Sequence, residues 1–119
     1  MSELPPARHL LRAKDLADAR YAEGMSVADM AREAGLSSAH FSREFRRTFG
    51  ESPHQYVMTR RLERAAALLR TTDWSVAEIC FAVGLSGVGS FTTSFGRMFG
   101  MSPTAYRDSY PPAAAYALI

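Results

Sequence analysis

The chain has 119 residues, 47% of them hydrophobic and 22% charged, which is ordinary globular composition and enough for one compact domain. No run approaches the ~18–20 uninterrupted apolar residues of a membrane span, and the N-terminus lacks the basic-then-apolar pattern of a secretory leader. A lone cysteine, Cys80, argues against a disulfide framework or multi-cysteine zinc site, so a reducing, cytoplasmic setting is expected.

The formal net charge is only +2, yet 13 of the 14 basic residues are arginine. They are unevenly placed. His40 to Arg64 carries Arg43, Arg46, Arg47, Arg60, Arg61 and Arg64 against Glu44, Glu51 and Glu63, whereas the stretches on either side are slightly acidic. A local basic patch is the footprint of a polyanion-binding face, although a preference for arginine over lysine also fits genomic base composition.

In chain order, an N-terminal helix is expected first, and then the sequence repeats. Ser26-Val-Ala-Asp-Met-Ala-Arg-Glu-Ala-Gly-Leu-Ser37 is echoed 49 residues later by Ser75-Val-Ala-Glu-Ile-Cys-Phe-Ala-Val-Gly-Leu-Ser86. After one inserted residue, the spacing Phe41, Phe45, Phe49-Gly50, Ser52-Pro53, Tyr56 recurs as Phe91, Phe95, Phe99-Gly100, Ser102-Pro103, Tyr106. Ser26 and Ser75 are placed as N-caps, and Glu78 completes a capping box with Ser75. Met25 with Met30, and Trp74 with Ile79, have the spacing of hydrophobic staples. Gly35 and Gly84 supply left-handed stops, Ser37 and Ser86 can cap the next helices, and Ser52-Pro53 and Ser102-Pro103 start further ones. No segment alternates with period two, so the expected fold class is all-α, with about seven helices and little or no sheet.

Phe41, Phe45 and Phe49 recur every four residues and make one apolar stripe on a helix, matched on the preceding helix by Val27, Met30, Ala31 and Ala34. Ser42, Arg43, Arg46 and Arg47 then fall largely outside that stripe. Two short helices, a tight Gly-Leu-Ser turn and a basic outer face describe a helix-turn-helix; taken alone, this copy favours it only modestly over a plain helical hairpin with solvated arginines. A longer helix, about Pro53 to Arg70, runs between the copies with Leu62, Ala65, Ala66 and Leu69 on one face. Its ~27 Å length at ~1.5 Å per residue is compatible with the ~34 Å spacing of successive major grooves. The expected division is an N-terminal helix and first helix-turn-helix over 1–52, a linker helix over 53–71, a second helix-turn-helix over 72–110 and a tail over 111–119.

These motifs resemble the DNA-binding domain of the AraC/XylS family of bacterial transcription regulators, over roughly Leu10 to Tyr110. The most specific matches are Gly84-Leu-Ser followed by Phe91, Phe95, Phe99-Gly100, Ser102-Pro103 and Tyr106-Arg107, and the linker stretch Arg61-Leu-Glu-Arg-Ala65 with Leu68-Leu69. The resemblance implies two helix-turn-helix (homeodomain-like) subdomains joined by a linker helix, and sequence-specific binding to double-stranded DNA by two recognition helices in adjacent major grooves.

Carried over by position, the first recognition helix would be Ser37 to Phe49, with Ser38, Ala39, Ser42 and Arg43 facing bases. Arg43 can donate two hydrogen bonds to guanine O6 and N7, Ser42 suits several base edges, and Ala39 offers only apolar contact, for instance to a thymine methyl. His40 would touch phosphate or stand exposed without a role. Arg46 and Arg47 would meet phosphates, which position a protein without reading sequence. Arg60, Arg61 and Arg64 would do the same, or else Arg61 and Arg64 pair with Glu63 or Glu33.

The second recognition helix would be Gly87 to Arg97, with Val88, Gly89, Ser90, Thr92 and Thr93 outward. Members of the family often carry long polar side chains there; this chain has none before Arg97. The first copy is therefore expected to dominate base readout, with the second anchoring or reading shape.

Other chemistry is not indicated. Cys80 lies in the stripe Val76, Ile79, Cys80, Val83 and reads as a small buried hydrophobe. His9, His40 and His54 lack ligand spacing, and there is no phosphate-binding glycine loop or nucleophile elbow. No catalytic residue, metal, cofactor or small-molecule effector is expected. The resemblance further implies either a stand-alone regulator, bound to DNA as a monomer in the cytoplasm at the nucleoid and touching RNA polymerase, or an excised C-terminal domain. The rival expectation is a helical protein-interaction module that has lost DNA binding.

Overall fold

Serine side chains open most of the helices. Ser26 Oγ accepts from the Asp29 amide at 3.2 Å while Asp29 Oδ2 accepts from the Ser26 amide at 2.9 Å. Ser75 and Glu78 form the same reciprocal pair at 3.0 and 2.7 Å, and Ser52 and Gln55 form a third, both bonds at 3.1 Å. Ser37 and Ser102 accept singly, from the His40 and Ala105 amides. Each such bond satisfies an amide that the first helical turn leaves without a partner.

The computed structural model describes residues 8–110. They form α1 (Arg8–Arg20), a 3-10 turn (Tyr21–Glu23), α2 (Val27–Ala34), α3 (Ser38–Phe49), α4 (Pro53–Thr71), α5 (Val76–Ala82), α6 (Val88–Phe99) and α7 (Pro103–Asp108), with no strand among the described residues. The lead-in Met1–Ala7 and the expected tail over 111–119 lie outside them. The chain divides into two compact units between Arg60 and Arg61, inside α4.

Both tight turns are built alike. Gly35 at φ 73° lets its amide reach Arg32 O and the Leu36 amide reach Ala31 O; Gly84 at φ 90° does the same toward Phe81 O and Cys80 O. This paired closure needs a left-handed residue, which glycine adopts without steric cost.

One expected cap is displaced. Ser86 does not open α6; Gly87 is its N-cap and supplies no side-chain bond. The register of the core explains the shift. Phe41 bonds back to the carbonyl of its cap, Ser37, and Phe91 bonds back to Gly87. The extra residue in the second copy therefore moves the helix start one place past the serine, because Phe91 keeps its place in the core.

In the first unit, Leu10, Ala13 and Ala17 of α1 pack with Met30, Ala31 and Ala34 of α2, Phe41 and Phe45 of α3, and Tyr56 and Val57 of α4. The rings of Phe45 and Tyr56 meet edge-on at 5.8 Å, and Phe49 lies 4.6 Å from Phe45. In the second unit Leu62, Ala65, Ala66, Leu68 and Leu69 of α4 are buried, as are Ile79, Cys80, Val83, Phe91, Phe95 and Tyr106. Phe95 again meets its tyrosine edge-on, at 5.3 Å from Tyr106. Removing one such core ring would cost about 3–5 kcal/mol.

The internal repeat also reaches further upstream than the serine-led segments. Leu10, Ala13, Ala17 and Asp18 of α1 match Leu62, Ala65, Leu69 and Arg70 of α4, and the three extra residues in the first copy are the 3-10 turn Tyr21–Glu23. Helix α4 thus serves twice: its start closes the first unit as α7 closes the second, and its remainder opens the second unit as α1 opens the first.

Candidate nucleic-acid interface

The buried stripe of α3 decides what its other side presents. Phe41 and Phe45 are fully buried and Phe49 is partly so, which leaves Ser38, Ala39, His40, Arg43, Arg46 and Arg47 exposed and Ser42 half-buried. The arginines on this face differ in their surroundings. Arg43 and Arg46 make no side-chain hydrogen bond or ion pair with another described residue. Arg47 Nη2 instead donates to both carboxylate oxygens of Glu44, at 2.6 and 2.7 Å. That bond holds the Glu44 carboxyl below the usual range, with the positive charge of Arg47 adding to it. His40 Nε2 lies 3.9 Å from the same carboxylate. Arg46 and Arg47 also sit in the last turn of α3, where cations complement the helix dipole.

Helix α2 carries its own local pair, Arg32 Nη1 to Asp29 Oδ1 at 2.9 Å. The Asp29 carboxyl is held low, first by the Ser26 amide it accepts from and then by Arg32. Among the arginines of α4, Arg60 lies over the Tyr56 ring at 5.2 Å from its centroid, and Lys14 Nζ lies at the same distance from that ring. Arg61 is half-buried and Arg64 exposed.

Helix α6 is differently equipped. Val88, Gly89, Ser90 and Thr93 are exposed, Thr92 is half-buried, and Arg97 is the one long cationic side chain on α6, in its last turn. Two glycines near its start lower its propensity, and nothing lies within 4 Å of a Cβ placed at Gly89. Its exposed surface is short and mostly uncharged.

Two side chains make contacts that residue type and spacing alone do not single out. Glu44 is one acidic residue in a basic run, yet its carboxylate binds Arg47 and lies 3.9 Å from His40 Nε2. Arg107 donates to the carbonyls of Leu69 and Thr72 at 3.1 and 3.2 Å, which satisfies the C-terminal end of α4. The signal was there in the unpaired carbonyls every helix end leaves. Cys80 is buried, and burial raises its thiol. Among the described residues no group of histidine, cysteine and carboxylates is placed to hold a metal, and no helix is long and apolar enough to cross a membrane.

Comparison with known proteins places this arrangement. The helix-turn-helix domain family matches residues 30–109. The transcriptional regulator ExsA of Pseudomonas aeruginosa is 31% identical over 101 residues, covering 85% of this chain and 36% of ExsA. The DNA-binding domain of AdpA, a global transcriptional factor whose structure was solved in complex with a target DNA, superposes with a TM-score of 0.81 at 33% identity, covering 86% of this chain and 92% of that domain. An AraC-type regulator from Chromobacterium violaceum superposes with a TM-score of 0.76 at 31% identity, covering 84% and 89%. This chain spans about a third of the length of the curated relatives it matches. It belongs to the helix-turn-helix family of AraC/XylS-type DNA-binding domains.

Proposed function

We propose that this chain binds double-stranded DNA in a sequence-specific manner and regulates transcription, with α3 making most of the base contacts. The observation that carries the reading is the outer face of α3, where Arg43 and Arg46 stand exposed, without a hydrogen-bond or ion-pair partner among the described residues, above the buried rings of Phe41 and Phe45. A guanidinium so placed suits bidentate bonding to guanine. Ser38, Ala39 and Ser42 flank it as short base-edge contacts, while His40, Arg46 and Arg47 serve phosphates.

Helix α6 enters the neighbouring major groove and contributes anchoring and shape recognition. Val88, Gly89, Ser90, Thr92 and Thr93 allow close backbone approach, and Arg97 meets phosphate. The protein acts as a monomer in the cytoplasm at the nucleoid, on an asymmetric site, and touches RNA polymerase.

One observation favours a protein-facing role for the second unit. Among the described residues, all the exposed large apolar side chains except Leu11 lie from Trp74 to Tyr110, with Phe81 58% exposed. A helical interaction module is therefore the second reading.

Selection of duplexes from a randomised pool, followed by a salt titration on the enriched sequence, tests the choice. DNA binding predicts an enriched motif and log K falling with log salt at ~−0.9 per phosphate neutralised. No retention of duplex DNA at low salt would overturn it.

A further inference from the structure

Among the arginines of α3, only Arg47 is held by a carboxylate of the same helix. Glu44 is half-buried on the flank of α3, with its side chain 26% exposed, and Arg47 reaches back one turn to it with its side chain 75% exposed. Arg47 uses only Nη2 on Glu44, so Nε and Nη1 can still meet a phosphate, but only where the carboxylate holds the guanidinium, and with part of its charge offset. The cost is modest, since exposed ion pairs are weak, but it falls on a residue of the proposed reading face.

We propose that Glu44 is a specificity-determining residue: by holding Arg47 along α3, it weakens binding to unmatched DNA more than binding to the matched site. The inference rests on the DNA-binding reading above. On unmatched DNA nearly all affinity comes from interchangeable phosphate contacts. A loosely docked helix can shift until Arg47 reaches whichever phosphate is near, and Glu44 opposes that capture. At the matched site base contacts from Arg43 set the depth and register of α3, so Arg47 has no such latitude and Glu44 costs less. The carboxylate held low by Arg47 remains ionised throughout neutral pH, so the opposition is always present.

Glu44→Gln keeps the shape and removes the charge. Wild type, E44Q, R47A and the double variant are compared by fluorescence anisotropy on a duplex selected by the wild-type chain and on a scrambled duplex of equal length. E44Q is expected to bind the scrambled duplex about three- to tenfold more tightly and the selected one less than about twofold more tightly. Its salt slope on the scrambled duplex should steepen by ~0.9, one further phosphate. In the R47A background the substitution should change neither affinity by more than about twofold. Equal gains on both duplexes, or a gain that persists without Arg47, would overturn the proposal in favour of a general charge effect. A fall in absolute affinity for the selected duplex would overturn it in favour of direct base contact by Glu44, as carboxylates can make with cytosine N4. If wild type retains neither duplex, the DNA-binding reading fails and this inference with it; if wild type binds and E44Q is unchanged, the inference alone fails.

Discussion

Tyr56 and Tyr106 occupy equivalent places in the two repeats, and their hydroxyls are tethered by opposite charges. Tyr56 donates to the Asp18 carboxylate, whereas Tyr106 accepts from Arg70 Nη1 at 2.5 Å. Asp18 and Arg70 are themselves equivalent positions, on α1 and on the second half of α4. The repeat has kept the tie between its first and last helices while exchanging the chemistry that makes it.

That exchange predicts different responses to alkali. Burial, and then the bond and charge of Asp18, push the Tyr56 hydroxyl up to about 12. A group whose folded value is raised contributes stability that is complete below its unfolded value, ~10, and lost as pH rises through the folded one. Denaturant midpoints of the wild type should therefore fall between about pH 10 and 12, and Tyr56→Phe should remove part of that fall. At pH 7 the same substitution should cost about 1 kcal/mol, the bond being partly solvated. An unchanged alkaline limb in Y56F would show that the Tyr56 hydroxyl is not a group whose ionisation weakens the fold.

The displaced cap of α6 can be tested by two serines. Ser37→Ala removes a bond to the His40 amide and should cost about 1 kcal/mol, while Ser86→Ala, one residue outside the α6 cap, should leave stability within ~0.5 kcal/mol. Equal losses in thermal unfolding would restore Ser86 as the cap.

Gly89 lies inside α6 with open space where a Cβ would sit. Gly89→Ala should stabilise the chain by about 0.5–1 kcal/mol, read as a higher denaturant midpoint. A loss of stability would mean that the position needs its missing side chain for the fold. Unchanged stability with weakened DNA binding would instead place the backbone of α6 against phosphate.

Glu78 is held below the usual carboxyl range by the Ser75 amide it accepts from and by the Ser75 hydroxyl. A lowered value means stability present at neutral pH and lost as pH falls from about 4 through the folded value. Glu78→Gln preserves the capping box without a titrating group. Its denaturant midpoint should drop less than that of the wild type between pH 7 and pH 3.5. An equal drop would remove this carboxylate from the acid limb.

Local signals made most of the fold readable. Serine caps, glycine stops and the four-residue phenylalanine spacing act within one or two helical turns, and they recover α2, α3, α5 and α6 with their buried faces. The duplicated start of the repeat was hidden because Leu10, Ala13 and Ala17 share only small apolar character with Leu62, Ala65 and Leu69, and the 3-10 turn breaks the offset. The cap at Gly87 was hidden because serine is the better capping residue locally, and core register overrode it. On the candidate interface, the outward turn of Arg43 followed from the apolar stripe. The capture of Arg47 did not, because an exposed residue three positions from a carboxylate has other rotamers open to it.

The central claim is that Arg43 on α3 reads bases and that α6 does so far less. Arg43→Ala and Thr93→Ala, measured on the selected duplex and on its single-base variants, test it most directly. Loss of one bidentate contact should weaken R43A by about 1–3 kcal/mol on the selected duplex and abolish discrimination at one guanine position, while T93A keeps its discrimination at every position. Equal loss of discrimination in both variants, or a uniform loss by R43A across all sequences, would contradict it.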